Sequence, residues 1–307
     1  MDASQFANFW AVQGHRVIST QSCQWYNTEP FVYLSIPFHR MVTPDRVEMA
    51  RVLGGGPALV MRYACPAEES KCNGGLYVCR DKNYDIPSLN EKARNRTRRA
   101  LRCCDVERVE FRDLMEWGHE INVQTYIRQN RDPKTLAYEK WARYCEAAAD
   151  TPGFEAWGAY MDGKPAAYVV CALVEDCYHL LRQSSATDYL SYCPNNALTF
   201  AVTQEAIARP EVGYVSTGLK SVEDTYGLNR YKERMGYVLE PFRDQLVVQP
   251  FIKLLAGVGG SRAIRSLHQR NPGADFWRKA ARVMDLIYQD TPAQPNAGQA
   301  GDDDAES

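Results

Sequence analysis

The sequence lacks long apolar runs and a strong charge bias. No stretch of its 307 residues approaches the roughly 20 apolar residues that a membrane-spanning helix needs. The net charge of −2 indicates no general attraction to nucleic acid or to acidic membranes. The segment Met1–Gln5 has no basic region followed by an apolar core, so it does not read as a secretory signal. We therefore expect a cytoplasmic protein with no membrane contact.

Metal-binding motifs are also missing. The chain has ten cysteines, and none of them forms a C-x-x-C pair. Cys65, Cys72 and Cys79 are seven residues apart, a spacing that suits neither a zinc knuckle nor an iron–sulfur site. In Glu116–Glu120, no second histidine completes an H-E-x-x-H zinc motif. We expect reduced thiols in a cytosolic protein and no metal.

Residues 1–104 have the pattern of a small α/β unit. Ser4–Gln13 is expected to form a helix, and strands are expected at Val17–Ser22, Phe31–Phe38, Ala58–Ala64 and Leu76–Arg80. Thr43 followed by Pro44 predicts the start of a second helix. A third helix is expected at Ser88–Arg102, with Ser88 and Glu91 as a capping box. Six basic residues cover most of its circumference: Lys92, Arg94, Arg96, Arg98, Arg99 and Arg102.

Residues 105–250 alternate strands and helices in a definite order. A strand is followed by two helices, a hairpin around Asp162–Gly163, and a third strand at Cys177–Ser185. Helix Ala197–Ala208, strand Val212–Gly218, a short helix closed by Gly236, and a last strand from Tyr237 complete the unit. The order is therefore β, α, α, β, β, β, α, β, α, β.

This order resembles the GNAT type of N-acyltransferase domain, and two motifs resemble its Fem-type (FemAB-like) branch. Arg94-Asn-Arg-Thr-Arg-Arg-Ala100 is similar to the basic helix that precedes the second Fem-type domain. Gly227-Leu-Asn-Arg-Tyr-Lys-Glu-Arg-Met-Gly236 is similar to its closing segment, with Tyr231 and Met235 in place of phenylalanines. The resemblance implies a mixed, mostly antiparallel sheet flanked by helices.

The same resemblance implies a domain plan of two GNAT-like halves. Residues 1–104 would be a degenerate first half that ends in the basic helix, and 105–250 the acyltransferase domain. C-terminal helices are expected in 251–290. The remainder, 291–307, has no large apolar residue and is expected to be disordered. Oligomeric state stays open, because Ile252 and Leu254–Leu255 could pack internally or against a second subunit.

The chain departs from ordinary GNAT enzymes at the phosphate loop. Their glycine-containing loop is replaced by Tyr189-Leu-Ser-Tyr-Cys-Pro-Asn-Asn-Ala197. A helix N-terminus can still bind phosphate through its free N–H groups and its dipole. We expect Asn195 or Asn196 to cap this helix, and the implied acyl-CoA contacts are Ser185, Asn195, Asn196 and Ala197. The alternative is a plain capped helix with no ligand.

Lys232 and Tyr231 are assigned catalytic roles from the resemblance, and Asp188 is assigned as a base from its position. Lys232 would stabilise an oxyanion or contact a phosphate; the alternative, a solvated lysine on an amphipathic helix, is favoured. Tyr231 would give a proton to the leaving thiolate; the alternative, a tyrosine packed in the core, is favoured. The amine acceptor must also lose a proton, and the candidate bases near strand ends are Glu175, Asp188 and His179. We assign Asp188, just beyond the third strand and near the expected cleft, although none of the three stands out from the sequence.

Arg94, Arg98 and Tyr192 are the residues assigned to the substrate. The arginine helix could grip phosphate of tRNA or of an acidic substrate, bridge the two halves, or be a solvated face, and we favour a structural role. The function implied is transfer of an acyl group from acyl-CoA, such as acetyl-CoA, to a small-molecule or peptide amine. The alternatives are a Fem-type transferase that uses aminoacyl-tRNA, with tRNA less favoured, and a non-catalytic binding scaffold.

Overall fold

The computed structural model describes residues 1–29, 31–55, 58–221, 227–249 and residue 266. Residues 1–247 form one compact unit. None of the helices in the described ranges is long and apolar enough to cross a bilayer. The predicted helices of 251–290 and the predicted disordered tail lie outside the described residues, apart from residue 266.

Seven helices and eleven strands are present in the described ranges. The helices are α1 Ala3–Val12, α2 Arg46–Gly54, α3 Glu91–Leu101, α4 Phe111–Arg128, α5 Tyr138–Asp150, α6 Pro194–Ile207 and α7 Leu228–Arg234. The first five strands are β1 Val17–Ser19, β2 Gln24–Glu29, β3 Val32–Ile36, β4 Val60–Cys65 and β5 Gly74–Cys79. The others are β6 Asp105–Val109, β7 Phe154–Met161, β8 Lys164–Val174, β9 Cys177–Ser185, β10 Tyr214–Leu219 and β11 Val238–Val248.

All eleven strands join in one sheet, in the order β1-β2-β3-β4-β11-β5-β10-β9-β8-β7-β6. Most neighbours are antiparallel, whereas β3–β4 and β9–β10 are parallel. The predicted fold class, a mixed and mostly antiparallel sheet flanked by helices, is confirmed, as is the element order of 105–250. β5 precedes residue 104 in the chain but lies between β10 and β11. The domain boundary at 104 stays a prediction.

The sheet is covered on both faces in its second half, and β8 shows why its sequence is a continuous apolar run. Val169 and Cys171 point into a core shared with α3 and α6. Tyr168 and Val170 point into the opposite core, shared with α1, α4 and α5. Alternation along the strand therefore buries both sets, as expected for a central strand.

Two predicted helix starts are wrong, because a nearby side chain makes a better cap. Asp45, rather than Thr43, caps α2 and forms a capping box with Glu48. Asn90, rather than Ser88, caps α3. Ser88 instead ends a turn of 3₁₀ helix and donates to Asp81. Strand β2 was not predicted.

Two predicted turns are confirmed by their backbone angles. Asp162 and Gly163 have φ of 49° and 72°, the left-handed conformation of a tight hairpin turn between β7 and β8. Gly236 has φ of 83° directly after α7, as a glycine that ends a helix should. The segment then enters β11.

Candidate active site

The central feature of the candidate site is a gap between two parallel strands. β9 and β10 pair only at Cys177–Tyr214, Tyr178–Val215 and His179–Ser216. From there β9 pairs with β8, while β10 pairs with β5. In the described chain, the second half of β9 has no partner on its β10 side.

A β-bulge lies in β9 at the start of this gap. Leu180 opposes Cys171 and Arg182 opposes Val170, so Leu181 is an extra residue with no opposite number on β8. A bulge leaves the extra residue outside the regular ladder and redirects the chain. Leu181 is therefore the residue of β9 whose backbone lies outside the regular β8–β9 pairing.

Helix α6 begins beside the gap. Cys193 is its N-cap, in the left-handed conformation with φ of 62°, and Pro194 is the first helical residue. The prediction that Asn195 or Asn196 caps this helix is wrong, since both lie inside its first turn. Asn195 Nδ2 donates to Oγ of Ser185 over 3.3 Å, and its buried Oδ1 has no partner among the described residues. Ala197, which follows Asn196, is fully buried.

A cavity of about 200 Å³ lies at this end of α6. Asn196 and Tyr231 form its wall on the α6 and α7 side. Three cationic side chains also line it, Lys92 and Arg96 from α3 and Arg234 from α7. Lys92 and Arg96 are four residues apart, so they share one face of α3. Together with the positive end of the α6 dipole, the three cations make this cavity suited to an anion.

The arginines predicted for the substrate lie elsewhere on α3. The Arg94 guanidinium donates to the carbonyls of Pro87 and Leu89, at 3.4 and 3.1 Å, so its contacts support the turn before the helix. Arg98 is exposed. Tyr192 is 41% exposed and contacts Arg99, which also donates to the Ser191 carbonyl. These residues do not line the cavity.

Tyr231 joins the cavity to the start of α6. Its hydroxyl donates to the carbonyl of Asn195 at 3.0 Å and lies 2.9 Å from Oγ1 of Thr199. Burial raises the pKa of Tyr231 to about 12, against a smaller lowering by the hydrogen bond with Thr199. The phenol is therefore protonated at neutral pH. Its ring packs on the core of the α6 face, so it is both packed and hydrogen-bonded.

Lys232 is buried rather than solvated, with 5% of its surface exposed. Its ammonium donates to the carbonyl of Leu219 at 2.9 Å and of Gly218 at 3.5 Å, at the end of β10. It also lies 5.1 Å from the centre of the Tyr77 ring. Burial lowers the pKa of Lys232 to about 8. The solvated-lysine alternative is wrong for this residue.

The candidate bases are spread over two places. Asp188 lies on an exposed turn of 3₁₀ helix, Thr187–Tyr192, just past the end of β9. His179 lies on the paired part of β9, where burial, and to a lesser extent nearby His39, lowers its pKa to about 3. Glu175 is held by Arg40 and His39. Of these three residues, Asp188 is the one that follows the half of β9 that does not pair with β10.

Sequence reasoning missed the cationic lining and the bulge. The i, i+4 spacing of Lys92 and Arg96 indicates that they share one face of α3. Placing that face beside the cavity also requires knowing that Ala93, Thr97 and Ala100 form the buried face. The bulge has no sequence signal, because it depends on the register between β8 and β9.

Comparisons with known proteins concern the fold of this chain. Residues 88–233 match the family model described as an acetyltransferase (GNAT) domain. The crystal structure of FemX overlays with a TM-score of 0.57 at 12% identity, covering 82% of this chain and 93% of FemX. The C-terminal domain (DUF2156) of a putative lysylphosphatidylglycerol synthetase from Agrobacterium fabrum gives 0.56 at 12% identity, covering 81% and 88%. At these identities the likeness concerns the fold. No curated protein matches the sequence.

Proposed function

We propose, given that this chain has a GNAT fold of the Fem-like branch with its GNAT domain over residues 88–233, that it is an N-acyltransferase. The donor is an acyl-CoA thioester and the acceptor is an amine. The observation that carries the proposal is the cationic cavity at the start of α6, a helix whose Asn195 donates to Ser185 at the end of β9.

The cavity supports phosphate binding by the donor. Coenzyme A carries phosphates, and a helix N-terminus together with Lys92, Arg96 and Arg234 offers both N–H donors and positive charge. A glycine-containing loop is not needed for this binding, because side chains of α3 and α7 would contact the phosphates. Asn195, whose buried Oδ1 has no partner in the described part of the chain, and Ser185 would contact the arm that links the phosphates to the thioester.

The gap supports the chemistry of acyl transfer. The acceptor nitrogen attacks the thioester carbonyl carbon, the C–S bond breaks, and the thiolate that leaves takes up a proton. The Leu181 backbone at the bulge and the Lys232 ammonium are the groups that would stabilise the oxyanion. Tyr231 keeps its proton at neutral pH and would give it to the thiolate. Asp188, or water, would accept the proton that the amine loses.

A second donor class is favoured by the fold. FemX and the lysylphosphatidylglycerol synthetase domain both overlay on most of this chain. A Fem-type transferase would take its acyl group from aminoacyl-tRNA, and the exposed Arg98 of α3 is then a candidate for the phosphate backbone. A scaffold that binds the ligand without turnover is the remaining alternative.

The test measures acetyl-CoA binding by two variants of α3, each with one arginine changed to glutamate. Arg96→Glu alters the cavity, and Arg98→Glu makes the same change outside it. A charge-assisted hydrogen bond to phosphate contributes about 1.5–3 kcal/mol, so Arg96→Glu should weaken acetyl-CoA binding by roughly 10- to 100-fold. Arg98→Glu should leave it within about twofold. Isothermal titration calorimetry measures both.

Turnover separates the remaining outcomes. Wild-type protein with acetyl-CoA and a panel of primary amines should give an acetylated amine, detected by mass spectrometry. Binding without product from any amine would favour the scaffold. Absence of acetyl-CoA binding, with salt-dependent tRNA binding that Arg98→Glu weakens, would favour the aminoacyl-tRNA donor. Equal loss of acetyl-CoA binding in both variants would contradict the cavity as the phosphate site.

A further inference from the structure

Two histidines and a cysteine meet near the start of β9. Cys177 and His179 are two residues apart on one face of the strand, and His39 reaches them from the segment after β3. Their donor atoms all lie within 4.8 Å of one another, and His39 Nδ1 lies 2.9 Å from His179 Nε2. Among the residues that the structure describes, no other group of three such side chains has this arrangement.

Burial and chemistry favour this trio as metal ligands. Cys177 and His179 are 0% and 1% exposed, and the His39 side chain is 5% exposed. Neutral imidazole is the form of histidine that binds metal. In a tetrahedral zinc site with bonds of about 2.0–2.3 Å, neighbouring donor atoms lie roughly 3.3–3.6 Å apart. The two imidazole nitrogens, now 2.9 Å apart, are closer than this spacing and would have to move apart to bind one ion.

A carboxylate orients His39 as it does in many metal sites. Oε2 of Glu175 lies 3.1 Å from His39 Nε2, and since a carboxylate only accepts, that nitrogen carries the hydrogen. Nδ1 therefore has the lone pair, and it is the nitrogen that faces His179. Glu175 is itself fixed by Arg40, whose Nε donates to Oε2 at 2.9 Å. A ligating histidine whose outer N–H is held by a carboxylate is the usual support around a metal.

We propose that His39, Cys177 and His179 bind one zinc ion, with water in the fourth position. Two imidazoles and a thiolate are the donor types that zinc takes, and three protein ligands leave a fourth tetrahedral position for water. Binding breaks the hydrogen bond between the two rings and moves the His179 hydrogen from Nε2 to Nδ1. The Cys177 thiol proton goes to solvent.

The ion would join two distant parts of the chain. His39 is 140 residues from His179, and His179 is the last residue of β9 that pairs with β10 before the gap opens. Zinc would thus fix the first half of the unit to the strand that continues into the candidate site. Without zinc, His39 and His179 share a hydrogen bond, and the experiment distinguishes this state from the zinc-bound one.

Cobalt(II) titration of metal-free protein tests the site by spectroscopy rather than activity. Wild type should bind one equivalent and develop a thiolate-to-cobalt charge-transfer band that zinc abolishes. Cys177→Ser should lose the band. Cys103→Ser, at an exposed cysteine, should keep it. Zinc should also raise Tm, by roughly 5–10 °C when free zinc is a hundredfold above Kd.

A wild-type measurement keeps the proposal testable if Cys177→Ser does not fold. X-ray absorption of the zinc-loaded protein should show one sulfur at about 2.3 Å and two imidazole nitrogens at about 2.0 Å. A band that survives in Cys177→Ser, the absence of any band in wild type, or a zinc shell without sulfur would each overturn the site. Failure of acetyl-CoA binding would not affect it, since the cavity at α6 is separate.

Discussion

Lys232 is a buried cation, and its cost to stability can be measured. Its pKa is about 8 in the folded protein against 10.5 in an unfolded chain, because burial disfavours the charged form. The difference of about 2.5 corresponds to about 3 kcal/mol of destabilisation at pH 7. Between pH 8 and 10.5 the unfolded state binds more protons than the folded one. Stability therefore rises with pH in this window.

Lys232→Met removes the charge and keeps the length of the side chain. The variant's gain in free energy of unfolding over wild type should be about 2 kcal/mol larger at pH 7 than at pH 9.5. At pH 9.5 the Lys232 side chain of folded wild type is already mostly neutral. Loss of the hydrogen bonds to Leu219 and Gly218 lowers the variant's stability at both pH values, so it cancels in this comparison. Urea unfolding followed by circular dichroism measures the free energies.

The control is Lys164→Met, at an exposed position on β8. The difference in free energy of unfolding between this control and wild type should be the same at pH 7 and pH 9.5. If the Lys232→Met difference is also independent of pH, the ammonium is not desolvated and the reasoning fails. Under the proposed function, the same variant should lose most of its acyl transfer, because a stabilising charge at the oxyanion has been removed.

Two further predictions concern the supporting structure. Gly236→Ala should cost about 1–3 kcal/mol in chemical unfolding, since φ is 83° and a new Cβ would lie 2.9 Å from the Ser88 carbonyl oxygen. Gly163→Ala, at φ of 72° in open space, should cost less, and an equal cost would contradict the close contact. Hydrogen bonds from the Ser22 and Asp45 amides lower the pKa of Glu48 to about 2, although burial alone would raise it. Wild type should therefore have a free energy of unfolding roughly 1 kcal/mol above that of Glu48→Gln when the pH is above 4.5, and this difference should disappear as the pH falls towards 2. A difference that stays constant in acid unfolding would refute this.

Local features of the fold were predictable from the sequence. The Asp162–Gly163 turn and the glycine after α7 depend on the backbone preferences of one or two residues. The element order of 105–250 follows from apolar periodicity, which needs no knowledge of contacts. The predicted caps of α2, α3 and α6 are wrong, because several neighbouring residues can cap a helix and tertiary packing selects among them.

The candidate site was less predictable, because it depends on which distant segments meet. The α3 face that borders the cavity carries Arg96, whereas Arg94 supports the preceding turn. That choice follows from how α3 packs against α6. The burial of Lys232 likewise depends on Tyr77 and the end of β10, which lie far from it in the chain. The catalytic roles of Lys232, Tyr231 and Asp188 stay predictions.

The position of β5 has a consequence for dissecting this protein into fragments. A piece limited to residues 88–233, the span of the GNAT match, would contain β10 but neither β5 nor β11. The edge of β10 that β5 covers would then be open, with Val215 and the apolar surface around it available to another chain. Such a fragment is expected to aggregate. A usable fragment must start before Gly74 and extend through Val248.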